Sequence, residues 1–103
     1  MSRVHLIEKK LLVMCVDKEK RYFESGFWAI TTKIATKLLG GDLYLHKSQN
    51  QPSFFGGKIL SFSKINSGIY QGRIVFLIES SISYKEVLAG NDGWSNEKKI
   101  LIN

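Results

Sequence analysis

Ile74-Val75-Phe76-Leu77-Ile78 is apolar at five successive positions, so a strand formed there needs cover on both faces. In a chain of 103 residues, too short for two independent cores, such a strand must organise a single core. The sequence therefore predicts one domain over residues 1–103, with Arg73 to Ser80 as its central strand.

The rest of the chain supplies short partners for that strand. Leu11-Leu12-Val13-Met14-Cys15-Val16 reads as a buried strand running into the polar turn Asp17-Lys18-Glu19-Lys20, which makes 1–24 a strand-and-turn lead-in. Phe27-Trp28-Ala29-Ile30-Thr31 is a second strand, entered through Gly26. Ile30, Ile34 and Leu38, with Ala35 and Leu39 beside them, mark one face of a helix of about ten residues. Thr31 or Thr32 can cap its start, and Gly40-Gly41 suits its exit. From Asp42 to Lys47 the pattern alternates, with Leu43 and Leu45 facing one way and Tyr44 and His46 the other. A polar loop from Ser48 to Ser53 precedes a strand opened by Gly56-Gly57 and ending near Ile65, where Asn66-Ser67-Gly68 turns the chain. Tyr84 to Ala89 forms a short helical turn, and Lys98 to Ile102 a last strand. The fold class expected is α+β: a small, mixed, mostly antiparallel β-barrel of five to six strands with one or two short flanking helices.

Fifteen Lys and Arg against nine Asp and Glu leave a net charge of +6. The excess is concentrated: Ser25 to Ile78 holds six basic residues and one acid, Asp42, while the two ends nearly cancel. A compensating anionic partner, RNA or DNA, is the expectation. No apolar run reaches the ~18 residues that span a bilayer, so no membrane partner is expected. The opening residues lack the apolar block of a signal peptide, and one cysteine cannot form an internal disulfide; both fit the cytoplasm.

Several chemistries lack their residues. Neither G-x-x-x-x-G-K-[ST] nor G-x-G-x-x-G occurs, and Cys15, His5 and His46 are too few for a zinc site, so no cofactor or metal is expected. Cys15 is read as buried in its apolar strand and unreactive. The aromatic set of Trp28, Trp94, Phe27, Phe54, Phe55 and Tyr44 is what a reader of unstacked bases requires. Phe54-Phe55 follows a polar loop, and two adjacent rings there are hard to bury together. Lys33 and Lys37, four apart on the helix, suit phosphate contacts.

Phe27-Trp28-Ala29-Ile30, then the short helix, then Gly41-Asp42-Leu43-Tyr44-Leu45-His46-Lys47-Ser48, then Phe55-Gly56-Gly57-Lys58-Ile59, together resemble the PUA-like superfamily, particularly its EVE and ASCH branches. The resemblance covers Phe27 to Ile65. It implies a small closed or nearly closed β-barrel that binds RNA or cradles a modified DNA base; some ASCH-like members act as nucleases. It places Trp28, Thr31 and Thr32 on the pocket lining and Tyr44, His46 and Ser48 on its wall. This chain departs from the family pattern in its 24-residue lead-in and in lacking a further aromatic early in the helix.

The leading expectation is thus a nucleic-acid-binding module. Trp28 and Phe55 stack a flipped or modified base, and Lys33, Lys37, Lys47, Lys58 and Arg73 hold phosphates. Two alternatives stand beside it: a protein-interaction or accessory domain whose aromatic loop docks an acidic partner, and a small metal-independent ribonuclease using His46 with Tyr44, Lys47 or Arg73.

Overall fold

A computed structural model describes residues 2–10 and 13–103. Seven strands form one sheet: β1 (Arg3–Ile7), β2 (Met14–Asp17), β3 (Tyr22–Trp28), β4 (Asp42–His46), β5 (Phe55–Lys64), β6 (Ile74–Ser80) and β7 (Lys98–Leu101). Among the described residues one α-helix, α1 (Thr32–Leu38), joins β3 to β4, and a 3₁₀ turn (Ile82–Tyr84) follows β6. The strand order is β2-β3-β6-β5-β4-β1-β7. All neighbours are antiparallel except β1 and β4, which run parallel with Val4 opposite Leu43 and Leu6 opposite Leu45.

The small, β-rich α+β class is as expected, but the sheet has seven strands among the described residues rather than five to six, and the barrel does not close. β2 and β7 are the two edges of an open sheet. The sheet nevertheless rolls. Four strands intervene between β3 and β7, yet Lys98 at the start of β7 donates through Nζ to the Ala29 carbonyl just beyond β3, at 2.7 Å. A seam remains between the two sides of the roll.

Alternation accounts for the core. Ile74, Phe76 and Ile78 of β6 are fully buried, while Val75 and Leu77 on the other face are half-buried. Leu43 and Leu45 of β4 and Val4 and Leu6 of β1 join them, with Ala35 and Leu38 from α1. Each fully buried aliphatic side chain of this kind contributes roughly 1.5–3 kcal/mol. Thr31 caps α1, its Oγ1 accepting the Ile34 N–H at 3.2 Å, and Gly40 leaves the helix at φ +78°. Gly56 and Gly57 are required where β5 passes its neighbours: a Cβ at either would fall on backbone carbonyl oxygen, of Leu43 or Glu79 respectively.

Five further expectations are corrected. Arg3–Ile7 is an interior strand between β4 and β7 rather than a lead-in. The run expected as a buried strand yields an exposed edge: Met14 is 66% and Val16 54% exposed, because β2 pairs only with β3. Leu11 and Leu12 lie outside the described residues. Cys15 is exposed for the same reason, not enclosed. Finally, α1 has seven residues rather than about ten, and the turn expected at Tyr84 to Ala89 sits earlier, at Ile82–Tyr84.

Candidate functional site

The seam carries a cleft built by several elements. β3 pairs with β6 through a register shift between Ser25 and Trp28. Trp28 turns inward, only 7% exposed, and its indole N–H donates to Ser25 Oγ at 3.1 Å. Phe27 is half-buried and stacks on Tyr70, with ring centroids 4.2 Å apart and planes 3° from parallel. On the β7 side of the seam the Ile7 N–H donates to the Glu97 carbonyl at 2.9 Å, which holds the start of β7 against the end of β1.

Three adjoining hollows result. The first, about 500 Å³, lies between Phe27-Trp28-Ala29 and Ser95 to Lys98. The second, about 270 Å³, reaches Glu8, Lys9, Lys10 and Tyr70. The third, about 430 Å³, runs past Thr31, Thr32, Lys64 and Gln71. Arg73 borders all three, and its Nη1 donates to the Phe27 carbonyl at 3.4 Å. Lys9, Lys10, Lys64, Arg73 and Lys98 thus face one cleft against Glu8 and Glu97. The Lys9–Glu97 pair, at 3.7 Å, is solvent-exposed and adds little. The cleft therefore keeps an excess of positive charge beside a flat aromatic pair, an arrangement suited to anions that carry planar groups.

A second polar assembly occupies the sheet face opposite the core. His46 Nδ1 lies 2.9 Å from the Gln51 carbonyl, which only accepts, so Nδ1 carries the proton. Neutral His46 then accepts at Nε2 from His5 Nδ1, also at 2.9 Å. Tyr44 stacks on His5 at 4.8 Å, and Trp94 covers both imidazoles from 5.8 and 6.4 Å. Tyr84 donates its hydroxyl to Asp42 Oδ1 at 2.6 Å and leans on Tyr44. Burial, reinforced by the charges of His46, Arg3 and Lys99, lowers the His5 pKa to about 4. Burial lowers His46 as well, against the opposing hydrogen bond to Gln51. It raises the Tyr44 and Tyr84 hydroxyls, each helped by Asp42. These groups are kept neutral, and both His46 nitrogens are already engaged. This layer supports structure rather than proton transfer to a substrate.

The residues singled out in the sequence are dispersed over the molecule. Trp28, Thr31, Thr32 and Arg73 border the seam cleft. Tyr44 and His46 lie on the far face, and Ser48 in the following loop bonds Asn50 Oδ1 at 2.7 Å. The set of His46, Tyr44 and Arg73 is therefore not brought together. Phe55 packs edge-on to Phe23 at 4.9 Å, against the core. Lys33, Lys37 and Lys47 are exposed but border none of the three hollows. Lys58 is in register between Asp42 and Glu79, away from the seam. Lys64 belongs to the basic block between Ser25 and Ile78, whereas nothing in the sequence marks Tyr70, Lys98, Lys9, Lys10 or Glu8 for a site. Lys9, Lys10 and Lys98 sit in the nearly neutral chain ends, and only the β1–β7 pairing carries them to Arg73.

No protein-family model, curated protein or solved structure matches the chain. The PUA-like resemblance of Phe27 to Ile65 thus rests on those residues alone. Among the described residues, no helix is long and apolar enough to cross a membrane, and no group of three or more His, Cys, Asp or Glu side chains is placed to hold a metal ion.

Proposed function

We propose that this chain is a nucleic-acid-binding module that works in the cytoplasm and holds a single-stranded or flipped-out segment in the seam cleft. The observation that carries the reading is the Phe27–Tyr70 stack, set beside Arg73 on a cleft bordered by five basic side chains. A base stacks on the exposed part of that pair, where each such contact is worth ~1–3 kcal/mol. Phosphates pair with Arg73, Lys98 and Lys64. Trp28 and Thr31 shape the wall, consistent with the PUA-like resemblance. Trp28 is too enclosed to serve as the platform, so stacking passes to its neighbour Phe27. RNA and DNA share this chemistry, and a modified base fits the same description.

The test is fluorescence anisotropy of labelled single-stranded decamers, RNA and DNA, titrated between about 50 and about 200 mM salt. Log affinity is expected to fall with log salt by about 0.7 per phosphate engaged. Affinity that ignores salt, or no binding at either concentration, overturns the reading.

One observation favours a second reading, a protein-interaction domain. A largely apolar hollow of about 390 Å³, bordered by Val13, Met14, Ile65 and Val75, runs from β2 past β3 and β6 to the end of β5. Co-purification of a protein partner, with no mobility shift of nucleic acid, is the result that selects it.

A further inference from the structure

Glu8 is the residue of the seam that the proposed function leaves unused. Its backbone N–H donates to the His46 carbonyl at 2.9 Å, which fixes it at the end of β1. The side chain is only 5% exposed and borders the hollow shared with Phe27, Tyr70 and Arg73. Oε1 accepts the Lys10 N–H at 3.1 Å. Oε2 is enclosed and has no hydrogen-bond partner among the described residues. The nearby cations are turned elsewhere: Lys9 toward Glu97 and Arg73 to the Phe27 carbonyl.

A buried acceptor left unpaired is costly, and an ionised carboxylate accepts hydrogen bonds but cannot donate them. What completes this site is therefore a donor. A cationic donor is disfavoured by the five basic side chains around the cleft. A neutral, planar donor on an anionic chain meets every condition: flat ring for the Phe27–Tyr70 stack, phosphates for the rim, N–H groups for Glu8. Guanine alone among the common bases presents two adjacent donors, N1–H and the 2-amino group, on its Watson–Crick edge. Adenine and cytosine set an acceptor beside their amino group, and uracil flanks its one N–H with two carbonyls. In each of those a lone pair faces the carboxylate.

Building on the proposed function, we infer that Glu8 selects guanine, accepting N1–H and the 2-amino group of an unpaired base seated in the seam. A site whose buried acceptor needs those donors discriminates strongly against bases without them.

The experiment uses labelled uridine heptamers carrying G, inosine, A, C or U at the centre, titrated against the whole protein and its Glu8→Gln variant. Wild-type protein is expected to bind the G heptamer about tenfold or more tightly than the A, C and U heptamers, the weight of a bidentate base contact. Inosine, which lacks the 2-amino group, falls between. Glu8→Gln narrows the spread to within about twofold and leaves the salt slope on all-uridine heptamer unchanged. Equal wild-type binding to all five, or preference for another base, overturns the assignment of Glu8 while nucleic-acid binding stands. Folded Glu8→Gln that still prefers G overturns it as well. Absence of binding to every heptamer overturns both the assignment and the function beneath it. If Glu8→Gln does not fold, the guanine-to-inosine ratio on wild-type protein decides: a ratio of one rejects the contact.

Discussion

The Lys98 ammonium reaches the Ala29 carbonyl oxygen at 2.7 Å, joining β7 to the end of β3 although four strands separate them in the sheet. This bond joins the two sides of the seam, while the Ile7–Glu97 bond ties β7 to β1 on one side of it. Lys98→Ala is expected to cost about 1 kcal/mol in a urea titration, the net worth of an accessible hydrogen bond. Oligonucleotide affinity is expected to fall with it, since both the closure and a phosphate contact are lost. A variant with parental stability would show that the bond carries no weight.

Phe27 and Trp28 are neighbours with different duties. Phe27→Ala is expected to weaken decamer binding about tenfold, as loss of one stacked base does, while melting close to the parent. Trp28→Ala removes a side chain from the core and is expected to lose about 3–5 kcal/mol. Thermal melts and anisotropy on both variants separate the duties. Unchanged binding by Phe27→Ala contradicts the stacking role.

Arg73 touches all three hollows, whereas Lys33 and Lys37 touch none. Arg73→Ala is expected to reduce the salt slope by about the contribution of one phosphate. The double change Lys33→Ala, Lys37→Ala is expected to leave the slope in place. Comparison of log affinity against log salt for the three proteins reads this directly, and the reverse ranking would move the binding surface to α1.

Stability should depend on pH through the imidazole pair. In the unfolded chain His5 titrates near its ordinary 6.5, and in the folded protein burial holds it down to about 4. Between those values the unfolded state binds more protons. The stabilisation is complete above about pH 6.5 and is lost as pH falls through that value toward 4. Melting temperature is expected to drop between pH 7.5 and 5. His5→Phe should begin lower by about 1–3 kcal/mol, with His46 Nε2 left unpaired, and show a shallower pH dependence. An unaltered pH profile would remove His5 as the source.

Local pattern was enough to read part of the fold. The alternation of Leu43 and Leu45 with Tyr44 and His46 marks β4, the two-faced run in β6 marks an interior strand, and Thr31 marks the helix start. β1 escaped notice because Val4 and Leu6, two apolar positions beside a histidine, gain meaning only from partners near residues 43 and 100. Cys15 misled because an apolar run does not say whether its strand has one neighbour or two. The candidate site was legible only at Trp28, Thr31, Thr32 and Arg73. The rest depends on the rolling of the sheet and on the irregular pairing between Ser25 and Trp28, neither of which leaves a periodic trace.

The position of β1 also sets an order of assembly. It can pair with β4 once the chain has grown past His46, but its other edge stays bare until Lys98–Leu101 has left the ribosome. Contacts this distant in sequence form slowly and leave an unpaired edge available to other chains meanwhile. The first hollow of the seam, which needs residues 95–98 for one bank, cannot form during synthesis until those residues have emerged. A nascent chain halted before that point would carry much of the core but lack one bank of the first two hollows.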